Sequence, residues 1–419
     1  MLNNYICALD IGSSKIAASV AEVRRKRITN IFFESLPSKG IKRGEIIDSV
    51  EVVNSVGRVL RNLKAKSGIK IKSVYVSISG KDILTKHSCA VIPLAERGNK
   101  VISLSDIEKV NDQARILGSS LEEEIVHAIP FGYAIDSNAE ILNPLGLYSH
   151  KLEVDLYLVC AKLPTLQSLV RVINQAGYEL KDLCLSGIAT SNAVFNDEFK
   201  EGVSVLCDIG SDITEFLIFN NGLLKEIKIS SIGGNNLTEE LSEVLKIPFD
   251  LAEDVKRSYG IVGDCSHIKE DKEILLKKDE LYRPIKHKLV AEIVTAKAKD
   301  ICQALKDTLK GIIPGNEINN FIVSGRTVLQ EGFLERLENV LGIPVKIARI
   351  NHPHITSLIN KDNAIAISGR KYLTYITSLG IICQALYNQE PRFKPTPEPS
   401  GNPFSKIINR FKEVYQEYF

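Results

Sequence analysis

The tetrapeptide Asp-Ile-Gly-Ser occurs twice in this 419-residue chain, as Asp10-Ile11-Gly12-Ser13 and as Asp208-Ile209-Gly210-Ser211. Each copy lies between two apolar runs, residues 5–9 and 16–20 for the first, 203–207 and 213–219 for the second. That pattern reads as the turn of a β-hairpin. Such a turn suits one kind of chemistry. Glycine lets the backbone approach a phosphate closely, successive N–H groups can point at it, and Ser or Thr hydroxyls add donors. Aspartate does not bind phosphate itself but can hold a Mg²⁺-bound water beside it. A single copy would equally suit a plain structural hairpin. Two copies, nearly half a chain apart, suggest a duplicated fold in which one hairpin of each half faces a nucleotide cleft.

A third glycine-rich turn, Ile232-Gly233-Gly234-Asn235-Asn236, precedes an amphipathic helix over 237–245. Glycine and amide donors at a helix N-terminus form an anion site, and a structural turn has the same composition. Around these turns, residues 28–35 and 73–79 read as strands, and Val52, Val53, Val56, Val59, Leu60 and Leu63 follow helical spacing. Ser105-Asp106-Ile107-Glu108 is a capping-box pattern opening a helix to about Leu117. Strands are expected over 125–129 and 152–158, and a helix from Leu166 to near Gly177. Residues 84–163 thus form a compact α+β unit inserted in the first half. Helices are expected over 248–260, 289–309 and 334–341, an exposed hairpin or loop over 266–288, and a strand running into a turn at Phe321-Ile322-Val323-Ser324-Gly325-Arg326. Residues 364–373 read as a small-residue helix packing back on the core.

A formal net charge of +2 argues against a broad nucleic-acid footprint, so no nucleic-acid partner is expected. The eight cysteines form no CxxC pair and sit mostly in apolar runs, which points to buried free thiols and a reducing cytoplasm. His352 and His354 flank Pro353 without metal-ligand spacing. Neither a membrane span nor a signal peptide is expected.

Residues 388–403 hold five prolines among mostly polar residues and read as an extended tether. Beyond them, Phe404, Ile407, Ile408, Phe411, Val414, Tyr415 and Tyr418 recur at helical spacing, with Lys406, Arg410 and Lys412 among the polar positions. The segment makes roughly 24 Å of helix, too short to span a bilayer. It can dock on its own core, but the tether lets it reach an anionic membrane surface or a partner groove, and the membrane is favoured.

The order of these features resembles one family, the bacterial cell-division protein FtsA of the actin, Hsp70 and sugar-kinase ATPase superfamily. Its most specific stretches are Ser73-Val74-Tyr75-Val76-Ser77-Ile78-Ser79-Gly80-Lys81, then His127-Ala128-Ile129-Pro130-Phe131-Gly132-Tyr133-Ala134-Ile135-Asp136 and Asn143-Pro144-Leu145-Gly146-Leu147. The resemblance implies an α/β, actin-like fold: two duplicated ribonuclease-H-like halves around a nucleotide cleft, with an inserted α+β subdomain 1C. It implies subdomain 1A over 1–83, 1C over 84–163, a return to 1A with the interdomain link over 164–202, and 2A over 203–228. It further implies 2B over 229–300, the rest of 2A over 301–360, a C-terminal helix region of 1A over 361–387, the linker over 388–403 and a membrane-targeting helix over 404–419.

By the same resemblance the cleft takes ATP and Mg²⁺. Asp10, Gly12, Ser13, Ser14 and Lys15 form the first phosphate loop, and Asp208, Gly210, Ser211, Asp212 and Thr214 the second. Asp10 and Asp208 hold the metal through water. Gly233, Gly234 and Asn235 approach the phosphates, Glu253 and Lys256 lie near the ribose and adenine, and Gly325 and Arg326 form the adenosine turn. There the family carries paired glycines, so Arg326 would stack on the base or obstruct it. Asp212 stands where further glycines are common, and beside phosphate it is repulsive unless metal-shielded or turned away. Hydrolytic relatives place a carboxylate in the helix linking the halves; residues 187–191 hold none, which implies weak or absent ATP turnover. The implied role is to tether FtsZ filaments to the inner membrane at the septum, as a peripheral protein on its cytoplasmic face. The FtsZ C-terminal peptide would bind 2B, other division proteins 1C, and the chain itself would polymerise. An FtsA-like adaptor of pilus or secretion assembly, and a small-molecule kinase of the superfamily, remain alternatives.

Overall fold

The computed structural model describes residues 4–387, apart from 26, 96–97, 137, 267, 270–271, 279–280, 314–316, 353–354 and 356–368. The tether and the terminal segment over 388–419, Phe404 to Tyr418 included, lie outside the described residues, as does the first half, 364–368, of the helix expected over 364–373.

The chain starts with the hairpin β1 (Asn4–Ile11) and β2 (Lys15–Arg24), which pair antiparallel up to Ile11 and Ile16. Strand β3 (Arg27–Pro37) extends the meander. Helix α1 (Ser49–Ser67) follows because Asp48 caps its first turn, accepting from the N–H groups of Val50 and Glu51, while Gly68 ends it in a left-handed conformation. Its apolar stripe, Val52, Val56, Val59, Leu60 and Leu63, is buried on the sheet. Strand β4 (Ser73–Ile78) then adds parallel to β1.

The chain next leaves for the insert. Strands β5 (Ile83–Pro93), β6 (Glu123–Ile135), β7 (Asn138–Ile141) and β8 (Lys151–Lys162) form one sheet in the order β7-β6-β8-β5, backed by α2 (Leu104–Leu117). The capping box that starts α2 lies two residues earlier than the sequence pattern placed it. Ser103, rather than Ser105, is the cap and Asp106 its partner, because Asp106 also takes an ion pair from Lys100 at 2.9 Å. The insert has its own core of Ile102, Val110, Ala114, Leu152, Val154 and Leu156.

Helix α3 (Leu163–Gln175) and strand β9 (Glu179–Leu185) complete a five-stranded sheet in the order β9-β4-β1-β2-β3. Helix α4 (Ser186–Val194) crosses to the second half. There β10 (Val203–Ile209), β11 (Thr214–Asn220) and β12 (Leu223–Ser230) repeat the meander. Helices α5 (Asn235–Leu245) and α6 (Phe249–Tyr259) follow, then the hairpin β13 (Glu273–Lys278) with β14 (Leu281–Lys286), and the long α7 (His287–Lys310). The charge-dense stretch is therefore a hairpin, and it is not wholly exposed: Ile274, Leu276 and Ile285 are buried.

Strand β15 (Ile318–Ser324) returns parallel to β10, and α8 (Phe333–Leu341) leads to β16 (Val345–Ile347). The second sheet has the order β12-β11-β10-β15-β16. Both sheets therefore run third, second and first strand of a meander, then two parallel crossover strands, which is the duplication the repeated tetrapeptide suggested. The helix that packs back on the core is α9 (Ile376–Tyr387), beyond the stretch expected from sequence. It lies against α4 and β1, with Gly380 so close to the Ala189 carbonyl that no Cβ fits between them.

Candidate functional site

The two turns close identically. Gly12 N–H donates to the Lys15 carbonyl at 2.9 Å, and Gly210 N–H donates to the Ile213 carbonyl at 2.9 Å. Each turn crowns its hairpin at the same distance from the strand ends, so both point into one cleft between the halves. Asp10, Gly12, Ser13, Ser14, Lys15, Asp208, Gly210, Ser211, Asp212, Gly325 and Arg326 all line that cleft.

Charge is distributed unequally within it. Asp10 is buried, accepts from Ser77 Oγ at 2.8 Å and pairs with Lys15 at 2.6 Å. Asp208 accepts from Thr190 Oγ1 of α4 at 3.2 Å. Desolvation at the cleft floor, and then the nearby Asp10, push its carboxyl up to about 6.

A further acid was missed in the sequence. Glu215 of β11 is buried and lines the same cleft, with its Oε2 accepting from Gly187 N–H of α4 at 2.5 Å. Its Oε1 meets no hydrogen-bond donor among the described residues. Burial raises it to about 8, reinforced by the nearby Asp208 and opposed by the Gly187 N–H bond. Helix α4 itself carries no acid over 187–191, as its sequence shows, but β11 delivers one to its first turn. The available signal was the lone charge in Thr214-Glu215-Phe216-Leu217-Ile218-Phe219, where Thr214, Glu215, Phe216, Leu217, Ile218 and Phe219 are all buried.

The remaining sequence-derived residues lie behind the turns. Gly234 N–H donates to the Gly210 carbonyl at 3.0 Å and Asn235 N–H to the Ser211 carbonyl at 2.7 Å. Gly233 N–H is taken by Asn236 Oδ1 at 2.9 Å. The third glycine turn thus braces the second with its own donors. Thr214 likewise donates its hydroxyl to the Ile232 carbonyl at 2.7 Å. Asp212 is turned from the turn's N–H groups: its oxygens accept from Arg43 N–H at 2.8 Å and from Asn235 Nδ2 at 2.7 Å. Glu253 and Lys256 pair at 2.5 Å, and Lys256 Nζ also donates to Thr238 Oγ1 at 2.7 Å and the Gly234 carbonyl at 3.1 Å.

Gly325 adopts φ 89, a left-handed backbone that brings it against the Ile209 carbonyl at the foot of the second turn. The chain then presents Arg326 towards the first turn, where its Nη2 lies 3.4 Å from Ser14 Oγ.

Asp10 and Asp208 supply hard oxygens on one cavity, the donor type that Mg²⁺ prefers, and fit an ion held through water. Among the described residues no group of three acids, histidines or cysteines is close enough to hold a metal directly.

The insert is tied to both halves. His127 of its signature accepts from Leu185 N–H at 2.9 Å, and Tyr157 Oη accepts from Ile227 N–H of the second half at 2.9 Å.

Residues 205–368 match the family model described as cell division protein FtsA, and residues 80–160 match the SHS2 domain inserted in FtsA. The cell division protein FtsA of Bacillus subtilis is 26% identical over 84% of this chain and 80% of its own length. That of Borreliella burgdorferi is 27% identical over 85% of this chain and 88% of its own length. Among solved structures, the PilM–PilN type IV pilus biogenesis complex has a chain similar at TM-score 0.62 and 14% identity, covering 91% of this chain and 98% of that one. MreB5 of Spiroplasma citri bound to ADP is similar at TM-score 0.50 and 12% identity, covering 87% of this chain and 99% of that one. At these identities the structures speak for the fold, which is that of the actin-like ATPases with an inserted SHS2 domain.

Proposed function

This chain belongs to the FtsA family of cell-division proteins, and on that premise we propose that it binds ATP with Mg²⁺ between its two turns and tethers FtsZ filaments to the inner membrane at the septum. The observation that carries the nucleotide part is the pair of turns closed by the same backbone hydrogen bond and lining one cavity. Bound Mg²⁺ would offset phosphate charge; the chain's own residues place Asp10 and Asp208 to hold its waters and Lys15 to balance Asp10.

Turnover in this reading is slow. A carboxyl that keeps its proton to about pH 8 cannot accept one from water at neutral pH, which makes Glu215 a poor general base there. ATP then governs shape and assembly.

Membrane attachment falls to residues 404–419, whose apolar positions Phe404, Ile407, Ile408, Phe411, Val414, Tyr415 and Tyr418 alternate with Lys406, Arg410 and Lys412. One such helix binds lipid weakly, and a filament presents many at once. The 2B region over 229–300 would take the FtsZ C-terminal peptide. The insert would serve self-association and later division proteins, a role supported by its exposed Ile116, Leu117 and Leu121.

Co-sedimentation tests the proposal. Full-length protein should pellet with anionic liposomes and recruit FtsZ filaments, whereas deletion of 404–419 should abolish lipid pelleting and leave ATP binding intact. Retained lipid pelleting by the truncated chain rejects the membrane assignment, and failure to bind FtsZ rejects the tether.

A further inference from the structure

Arg326 is a cation on the wall of the proposed nucleotide cleft. Its side chain is half-buried, and among the described residues it has no carboxylate within ion-pair distance. The acids around it are committed elsewhere: Asp10 to Lys15 at 2.6 Å, and Glu253 to Lys256 at 2.5 Å and Arg257 at 2.7 Å. Of its five N–H donors, one reaches Ser14 Oγ at 3.4 Å, a long contact to a neutral partner. A half-buried charge left in this state loses hydration that a ligand's anion would replace.

The direction of the side chain is informative. Arg326 stands in the second half, directly after the left-handed Gly325, yet its guanidinium extends across the cleft to the turn of the first half. That turn is the Gly12-Ser13-Ser14 element whose composition suits phosphate. A guanidinium stacked on a base would remain over its own half; this one is carried to the opposite turn.

We propose that Arg326 is a phosphate clamp: it binds the oxyanions of a polyphosphate nucleotide held at the first turn and so draws the second half onto the first. The proposal rests on the nucleotide reading above and assigns the chain a phosphate contact at a place where the family resemblance implied only an adenosine turn. Arginine suits the role because its planar fork donates two parallel hydrogen bonds to phosphate and stays charged at any physiological pH. Ser14 Oγ would then act as its resting partner, exchanged for phosphate on binding.

The test is equilibrium binding of ATP, ADP and adenosine to the full chain, its Arg326→Ala variant and its Arg326→Lys variant, with inorganic tripolyphosphate as competitor. Cooperative thermal unfolding of each variant serves as the check on folding. Arg326→Ala should weaken ATP and ADP by about tenfold or more, leave adenosine unchanged, and abolish competition by tripolyphosphate. Arg326→Lys should recover part of the loss, since it keeps the charge without the fork. Unchanged ATP affinity in Arg326→Ala would overturn the clamp and leave the Ser14 contact as mere packing. Equal weakening of adenosine and ATP would place Arg326 on the nucleoside, and tighter binding of both would show that it obstructs. If the unaltered chain bound none of the probes, the nucleotide reading itself would fall, and the clamp with it.

Discussion

The two cleft turns share a tetrapeptide, a loop length and a closing hydrogen bond, and differ in what neutralises their aspartate. In the first, Lys15 lies 2.6 Å from Asp10 and Ser77 donates to it at 2.8 Å. In the second, the place of Lys15 is taken by Ile213, and Asp208 meets the neutral hydroxyl of Thr190 at 3.2 Å. Duplication preserved the backbone and let the electrostatics diverge. One side of the cleft holds a balanced charge; the other holds two carboxyls, Asp208 and Glu215, whose ionisation is suppressed by burial.

The comparison breaks most visibly at Lys15. Lys15→Met leaves buried Asp10 without its cation and should destabilise the chain by about 3 kcal/mol in urea unfolding, whereas Ile213→Met should cost about 1 kcal/mol. Equal losses would mean that the turns are electrostatically equivalent. Next is Glu215. Folded, it keeps its proton to about pH 8; unfolded, it loses it near the ordinary 4.5. The unfolded chain therefore holds fewer protons between those values, and stability falls as pH rises through the window. Glu215→Gln should flatten that slope and leave the variant more stable than the parent at pH 8.5, by on the order of 2 kcal/mol. A parallel pH profile would show that Glu215 ionises normally.

A finer comparison uses the glycines. A Cβ on Gly210 would stand 2.8 Å from the Ile213 carbonyl, and one on Gly12 would stand 3.2 Å from the Lys15 carbonyl. Gly210→Ala should thus cost about 1.5 kcal/mol and Gly12→Ala less than about 1, read as shifts in unfolding midpoint. The smallest effect belongs to Ser14 and Asp212, the second residue after the glycine in each turn. Asp212→Ala removes the bonds from Arg43 N–H and Asn235 Nδ2 and should cost about 0.5–1 kcal/mol, while Ser14→Ala should be near zero.

These turns were legible in the sequence because their demands are local: a glycine between two apolar runs has few other uses. The insert was legible for a related reason, since its signature around His127 is contiguous and its strands alternate cleanly. What escaped the sequence was decided at a distance. Glu215 reads as an exposed position in a strand; only the arrival of α4, with Gly187 N–H at its carboxylate, makes it part of the cleft. Ser103 and Ser105 both begin a plausible capping box, and the choice rests on Lys100 reaching Asp106. The residue pattern did not mark helix α9, which only the resemblance placed, within 361–387, because it has no polar face. Ile376, Leu379, Ile381, Ile382, Cys383, Ala385 and Leu386 are all buried, so no amphipathic period marks it. Gly233, Gly234 and Asn235 have the composition of an anion site, but Gly210, Ser211 and Asn236 already take their N–H groups.

Gly380, in the middle of α9, sets a limit on how this molecule can drift. Elsewhere in the core a lineage can exchange one aliphatic side chain for another and lose little, because neighbours repack. At position 380 the neighbour is the carbonyl of Ala189 in the helix that joins the halves, and a peptide group has nowhere to repack. The smallest possible enlargement, one methyl, has to be answered by parting α9 from α4 rather than by any side chain. A single codon there would disturb the seat of the helix that joins the halves, and mutational tolerance at that point narrows to one residue type.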